Sequence, residues 1–423
     1  MTVAMYVNHF HANPFGLLRD QLRFALGLTD AAGALVSSVV VGAVLQPADF
    51  TINTGLWCMS AGLAWTLTKA PAHIIPLEPY SRALRVPVLA AAVFTLLHVI
   101  TGTPITLGFT CGLAALWSVC MMLARVFYRR QSPPLLVGVL PGAEASVVEH
   151  DLIRYVPLDR ATDTSLNTID ALLLEPSRLP DRGWMEVMMH AQASGMHVWM
   201  PATLLEELRG RVSLEYLNSG QMTRRQFVAP YAPLKRILDV AAVALLSPLL
   251  LPIMAAVALV VLLDAGRPVL FWQTRVGQNG APFRIAKFRT MRPDSERHGQ
   301  VFATAGDARI TRVGRFLRKF RLDELPQFWN VLRGEMSIIG PRPEQQAFVE
   351  QFNEKLHLYP VRHWVKPGIT GWAQVTQGYA ADADETYLKL RYDVYYIKHF
   401  SFWLDARIVA RTLWTMATGF GAR

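Results

Sequence analysis

Long apolar runs and stretches of mixed polarity alternate along this chain. Four apolar segments come first, at about 24–45, 51–68, 84–100 and 104–127. Each is close to the roughly 20 residues that a spanning helix needs. Arg19 and Arg23 precede the first segment, and Lys69, Arg82 and Arg85 stand between the second and third. Arg125, Arg129 and Arg130 close the fourth, while the connections 46–50 and 101–103 carry no Lys or Arg. The positive-inside rule therefore predicts a four-helix membrane bundle over 1–130 with both ends cytoplasmic. Asp30 is the ionisable residue that stands out within it.

The pattern changes at 131–229. Short apolar runs at 134–140 (PLLVGVL), 170–174 (DALLL) and 196–200 (MHVWM) predict buried strands, with a helix over 184–194. Alternating strands and helices point to a small parallel-sheet domain. A G-x-G-x-x-G turn is missing, because Leu140-Pro141-Gly142-Ala143 follows the first strand, so no dinucleotide is expected. A spacer, a dimer contact or a nucleotide-sensing module all remain open.

A third part covers 230–423. Lys235, Arg236 and Asp239 lead into an apolar run that reaches 263 and is broken at Ser247-Pro248 and Pro252. Hydropathy alone gives a fifth span. Proline near the middle removes a backbone hydrogen bond, and both flanks are basic (Lys235 and Arg236 before; Arg267, Arg275 and Arg284 after). We therefore expect a re-entrant helix over 235–264 with both ends on one side. The backbone groups freed near Ser247 then need the serine hydroxyl or neighbouring protein, since lipid offers no partner.

Residues 271–291 predict a hairpin turning at Gln278-Asn279-Gly280, with Lys287 and Arg289 on one face of its second strand. The polar loop 294–307 contains His298 and Asp307, to which no role is assigned. Next comes the densest chemistry, 314–343, GRFLRKFRLDELPQFWNVLRGEMSIIGPRP. Two adjacent acids, Asp323 and Glu324, follow Arg315, Arg318, Lys319 and Arg321 and precede Arg342. A carboxylate among guanidinium groups suits chemistry on phosphate, as nucleophile or metal ligand. Asp323 is a good N-cap, Pro326 fits a first turn, and 327–332 is helical in composition. The plainer alternative is that Asp323 only caps that helix and the cations form a solvated face. Further on, 367–372 (PGITGW) is a turn whose backbone can approach a phosphate closely. Tyr395, Tyr396, Phe400, Phe402 and Trp403 suit an interfacial belt, with a membrane-surface or a core helix over 407–420.

Composition adds a direction. The chain has 42 Lys and Arg against 32 Asp and Glu, a net charge of +10. The part from 233 onward holds 26 of those cations and 16 of those acids, and so the entire excess. A basic domain beside membrane helices favours anionic headgroups and phosphorylated substrates. Nucleic acid is disfavoured by the apolar segments and by the lack of any nucleic-acid-binding motif. Cys58, Cys111 and Cys120 lie in apolar runs, which implies no disulfide framework, and no cleavable signal peptide is evident.

The ordered motifs RLDELPQFWNVLRGEMSIIGPRP, KFRTM (287–291) and VKPGITGWAQV (365–375), with the Lys-Arg, Asp and Ser-Pro pattern of 235–248, resemble the bacterial sugar transferases. These are the monotopic phosphoglycosyl transferases, and the resemblance runs from about 231 to the C-terminus. The remainder is similar to the N-terminal half of the family's long form, including its Rossmann-like middle module. The implied architecture is a membrane α-helical bundle of four transmembrane helices, a small Rossmann-like α/β domain, and an α/β-mixed catalytic domain with a re-entrant membrane helix. The implied reaction moves a sugar-1-phosphate from a UDP-sugar to undecaprenyl phosphate and releases UMP. It would be the first membrane step of surface or exopolysaccharide synthesis, on the cytoplasmic face of the bacterial inner membrane.

In that reading Asp323 is the nucleophile and a Mg²⁺ ligand, and Glu324 assists. Arg318 and Arg342 clamp phosphate, with Lys287, Arg289, Thr370 and Gly371 as further substrate contacts. Lys235, Arg236, Asp239, Ser247 and Pro248 belong to the re-entrant helix. A homodimer is implied by the same resemblance, and the long form suggests glucose or galactose over an N-acetylated sugar. A non-catalytic scaffold, a transporter and a pyrophosphate hydrolase are the rival readings.

Overall fold

A computed structural model describes residues 14–45, 50–67, 82–102, 106–143, 147–159, 168–175, 182–193, 196–217, 224, 228, 231–291, 309–356, 358–377 and 383–418. The loop with His298 and Asp307 lies outside them. Backbone proximity divides the chain into two compact units, 1–208 and 209–423.

In the first unit the apolar pattern becomes helices α1 (Pro14–Leu45), α2 (Phe50–Leu67), α3 (Arg82–Thr101) and α4 (Leu107–Gln131). Three of the expected spans are long and apolar enough to cross a membrane: Phe24–Val44, Arg82–Thr101 and Leu107–Gln131. The fourth such stretch among the described residues is Ala232–Ala265, in the other unit. α2 forms as a helix but does not meet that measure, because Asn53 and several hydroxyl side chains dilute its 18 residues. The bundle core is aromatic. Trp57 packs edge-on against Phe94 at 5.6 Å and Trp117 at 5.7 Å, the offset geometry that ring quadrupoles favour. Asp30 is paired with Arg125, whose guanidinium donates to both carboxylate oxygens at 2.8 and 2.9 Å with both residues buried. Arg125, a flanking cation by sequence, is thus an internal one.

The same unit holds four parallel strands in the order β2-β1-β3-β4, namely β1 (Leu135–Val139), β2 (Ile153–Pro157), β3 (Ala171–Leu173) and β4 (His197–Trp199), with helices α5 (Arg182–Ala193) and α6 (Pro201–Arg209). Three of these strands and α5 match the apolar runs. β2 escaped the pattern because its sequence, IRYVP, mixes polar and apolar residues on an edge strand. Only Ile153 of its five residues is buried.

The second unit opens with α7 (Ala232–Ala265), 34 residues of continuous helix that run through Pro248 and Pro252. Pro248 leaves the Ala244 carbonyl without its usual donor, and the Ser247 hydroxyl donates to that carbonyl at 2.7 Å. Burial along α7 is confined to its two ends. Val243 packs with Phe283, Ile285, Val331 and Met336, whereas Val257 and Val261 pack with Phe288 and Leu317. No residue between Val243 and Val257 is buried.

The expected hairpin follows as β5 (Leu270–Val276) and β6 (Pro282–Phe288), antiparallel, with Asn279 and Gly280 at positive φ in the turn. After it come α8 (Arg312–Lys319), a 3₁₀ turn (Leu322–Glu324), α9 (Gln327–Arg333), β7 (Ser337–Ile339) and α10 (Gln346–Lys355). A 3₁₀ segment (Tyr359–Trp364) then leads to β8 (Gly368–Thr370), parallel to β7, and to α11 (Trp372–Thr376), α12 (Ala383–Lys398) and α13 (Phe402–Thr418). Tyr396 and Phe400, read from sequence as part of an interfacial belt, are core residues instead. The Tyr396 hydroxyl donates to Asp405 at 2.9 Å, which lets the ring be buried without an unpaired polar atom. Phe402, Leu413 and Trp414 of α13 do remain exposed.

Candidate active site

Local backbone geometry places the acids. Thr311 caps α8 by accepting the Gly314 N–H at 2.8 Å. Gly314 lies so close to the preceding segment that a Cβ there would stand 2.1 Å from the Thr290 carbonyl oxygen. This approach lets the Arg318 Nε donate to the Thr290 hydroxyl at 2.9 Å. The chain then reverses at Arg321, which adopts φ 55° and ψ 23°, a left-handed conformation seldom taken by non-glycine residues. Asp323 and Glu324 follow at once in the 3₁₀ turn. Asp323 is therefore not the N-cap expected from sequence: α9 begins at Gln327 behind Pro326, and Leu325 and Pro326 separate the acids from it.

The two carboxylates are treated differently. Glu324 is buried and faces three cations: Arg342 donates to its Oε1 at 2.8 Å, Lys287 to the same oxygen at 3.3 Å, and Arg321 lies 3.7 Å from Oε2. Burial opposes its ionisation, but Arg342, Lys287 and Arg321 together hold its carboxyl well below the usual carboxylate range. Asp323 is 8% exposed, and its carboxylate has no hydrogen bond or ion pair among the described residues. Burial first, then the charge of Glu324, push it up to about 6, against the pull of Lys287, Arg318 and Arg342. The ε-ammonium of Lys287 is itself lowered by burial, partly offset by Glu324.

A buried layer fixes Arg342. Arg362 donates to the Arg342 carbonyl at 2.9 Å, to Asp393 at 3.0 Å and to the Tyr359 hydroxyl at 2.6 Å. Glu344 is paired with Lys389 and Arg275, and its carbonyl accepts the Val276 N–H at 2.9 Å. Sequence reasoning missed Thr290, Tyr359, Arg362 and Asp393. The available signal was Asp393, a carboxylate in the otherwise aromatic and apolar run DVYYI.

Of the residues singled out from sequence, the fold brings together Asp323, Glu324, Lys287, Arg318 and Arg342. Arg289 goes elsewhere: it lies just past β6 and donates to the Arg267 carbonyl at 3.4 Å. The Thr370 hydroxyl bonds that of Thr412 at 2.9 Å, and a Cβ on Gly371 would stand 2.2 Å from the Gly340 carbonyl oxygen. The Thr370 side chain thus ties β8 to α13, and Gly371 lies against the residue that follows β7. Lys235 is buried between Asp405 at 2.7 Å and Asp239 at 3.7 Å, and Asp239 also accepts the Ile338 N–H. Arg236 caps the C-terminus of α9 through the carbonyls of Val331 and Leu332. The basic start of α7 therefore holds the helix that follows the acids.

Among the described residues, no three His, Cys, Asp or Glu side chains come together. The acid pair nevertheless fits a magnesium ion. Glu324 Oε2 is buried without a hydrogen bond, and the Asp323 carboxylate is uncommitted. Magnesium is commonly held by one or two carboxylates together with substrate phosphates.

The family model for bacterial sugar transferases matches residues 230–419. A UDP-N-acetylgalactosamine-undecaprenyl-phosphate N-acetylgalactosaminephosphotransferase of Aeromonas hydrophila is 48% identical over 306 residues, which are 72% of this chain and 72% of that protein. UDP-glucose:undecaprenyl-phosphate glucose-1-phosphate transferases are also similar. That of Escherichia coli is 43% identical over 182 residues, covering 43% of this chain and 39% of that protein. The one from Caulobacter vibrioides is 38% identical over 224 residues, covering 51% and 84% respectively. With the first relative shared across most of both lengths and the family's model matching the unit that carries the acid pair, this chain is a transferase and belongs to the bacterial sugar transferase family.

Proposed function

We propose that this protein transfers a sugar-1-phosphate from a UDP-sugar to undecaprenyl phosphate, with Asp323 as the covalent nucleophile. The observation that carries the reading is the division of labour between the acids. Glu324 is neutralised by Arg342, Lys287 and Arg321, which leaves Asp323 buried, uncommitted and adjacent to phosphate-binding cations. A carboxylate oxygen of Asp323 forms a bond to the β-phosphorus of the donor. The bond from that phosphorus to the bridging oxygen breaks, and its electron pair leaves with UMP. A phosphate oxygen of undecaprenyl phosphate then bonds to the same phosphorus, breaking the acyl-phosphate link and regenerating the Asp323 carboxylate. Arg318 and Arg342 orient the phosphate oxygens, and Lys287 supplies a further positive charge. Asp323, with Glu324 beside it, would hold a magnesium ion, which would supply charge neutralisation on the diphosphate.

Re-entry of α7 fits this chemistry. Val243 and Val257, the inner limits of its two buried stretches, lie about 21 Å apart along the helix, and both pack on the same catalytic unit. The stretch between them is exposed and apolar, with Leu245, Leu249 and Leu251 outward. Both ends on one side and an apolar apex are what a helix dipping into one leaflet needs. The basic flanks favour the cytoplasmic side of the inner membrane, where a soluble nucleotide sugar and a lipid-anchored phosphate meet. The parallel sheet of the first unit, with strand order 2-1-3-4, supports a Rossmann-like reading of that module. A homodimer is part of the same proposal.

The test is purified protein in nanodiscs with magnesium, undecaprenyl phosphate and a donor panel, followed by UMP release. UDP-glucose and UDP-galactose represent the expectation from the long-form resemblance; UDP-N-acetylgalactosamine represents the Aeromonas relative. UMP beyond one equivalent per enzyme that requires the lipid phosphate, and UMP release that disappears altogether in Asp323→Asn, are the expected results. Repeated turnover to UMP without the lipid phosphate would indicate hydrolysis, and full activity in Asp323→Asn would remove the nucleophile assignment.

A further inference from the structure

We infer that the outward face of α8 docks on the anionic phospholipid headgroups of the bilayer that receives α7. This rests on the membrane-inserted reading of α7. Arg312, Arg315, Phe316 and Lys319 are spaced i, i+3, i+4 and i+7, so they share one helix face, and all four are exposed. Phe316 is 57% and Phe320 43% exposed, with their rings 4.8 Å apart. α8 contains no acidic residue. Among the described residues Arg312 and Arg315 have no ion pair, and the Lys319 ammonium lies 5.7 Å over the Phe320 ring. Arg318 turns about 100° away from Lys319 around the helix and bonds Thr290, so the outward cations are separate from the site's phosphate clamp.

Two observations select the occupant. The first is charge: three outward cations beside two exposed aromatic rings match an anionic interface, where rings sit at headgroup depth and each cation gains from the surface potential. The second is continuity. The inward face of α8, through Leu317 and Val313, packs on Val257 and Val261 in the second half of α7. On its other side that half exposes Leu259, Val260 and Leu263, a surface suited to lipid. The basic, aromatic face of α8 thus flanks the point where α7 returns from the membrane.

The full-length protein is placed in nanodiscs of phosphatidylcholine, of phosphatidylcholine with phosphatidylglycerol, and of phosphatidylcholine with a trace of undecaprenyl phosphate. Hydrogen–deuterium exchange is read over 312–320. Exchange there is expected to slow by about tenfold with phosphatidylglycerol, consistent with surface cations that each interact favourably with an anionic leaflet. High salt and the variant Arg312→Gln/Arg315→Gln/Lys319→Gln should both erase the difference. No dependence on phosphatidylglycerol overturns the proposal. Protection produced by undecaprenyl phosphate alone would assign the face to the acceptor, and protection that follows protein concentration would assign it to a second copy; either also overturns it. Exchange over 245–253 reads α7 independently. Protection there in all nanodiscs, retained in the variant, keeps the membrane reading and the fold intact whatever α8 does, and its absence rejects the membrane reading itself.

Discussion

The Arg342 guanidinium donates to Glu324 Oε1 at 2.8 Å, with Lys287 on the same oxygen at 3.3 Å. This pairing commits both cations to Glu324 and leaves the adjacent Asp323 as the uncommitted carboxylate. Arg342→Ala should therefore cost more than one phosphate contact, since it also leaves a buried carboxylate short of its main partner. A fall of about 10²–10³ in kcat is expected, the scale of losing a charge-stabilising donor. Arg342→Lys should restore only part of it, because a single ammonium cannot serve two oxygens in plane. Steady-state UMP release measures both.

Asp323→Asn should abolish turnover while making the fold more stable. Burial and Glu324 raise the Asp323 carboxyl to about 6, so at neutral pH its ionised form is disfavoured in the folded protein relative to the unfolded chain. Replacing it by a neutral isostere removes that strain, a gain on the order of 1–3 kcal/mol. The gain is full above about pH 6, shrinks as pH falls from there towards the ordinary carboxylate range, and should largely vanish at pH 4, where the folded carboxyl is already protonated. Thermal unfolding in detergent at the two pH values is the check.

The same raised carboxyl sets the acid limb of activity. In the proposed mechanism Asp323 attacks as the carboxylate, so kcat/KM should rise through a midpoint near 6 and fall as acid protonates it. Glu324→Gln removes the neighbouring charge that helps raise Asp323, so the residual activity should have its acid limb at lower pH. An unmoved limb would mean that another group controls it.

Gly314→Ala should loosen the clamp without touching a charged residue. The added methyl would meet the Thr290 carbonyl at 2.1 Å, which must push α8 outward and break the Arg318–Thr290 bond. Overpacking of this kind costs about 1–3 kcal/mol. A lowered Tm together with a raised KM for the donor is expected.

In the bundle, breaking one half of the Asp30–Arg125 pair leaves the other buried and uncompensated. Asp30→Asn or Arg125→Gln alone should destabilise the protein by about 3–5 kcal/mol. The double variant should recover a substantial part of the loss, and thermal melts in detergent would show this coupling.

Sequence by itself determined the helices of the bundle, three strands of the parallel sheet, the hairpin with its Asn-Gly turn, and the cation-flanked acid pair. Each of these is written in local order, as apolar periodicity, a turn that needs positive φ, or residues adjacent in the chain. It even anticipated the Ser247 hydroxyl, because a carbonyl orphaned by proline has few partners within one turn. Tertiary structure decided which acid is free and which is neutralised. That depends on Lys287 and Arg342, 37 and 18 residues from Glu324, and on Arg362 and Asp393 behind them. It also withdrew Arg289, Thr370 and Gly371 from the cluster and turned Arg315 and Lys319 outward. Charge in a sequence says that a side chain will seek a partner. Only the packing of α7, β6 and the 341–345 loop around the 3₁₀ turn settles which partner lies within reach, because ion pairing is decided over a few ångströms that chain order does not encode.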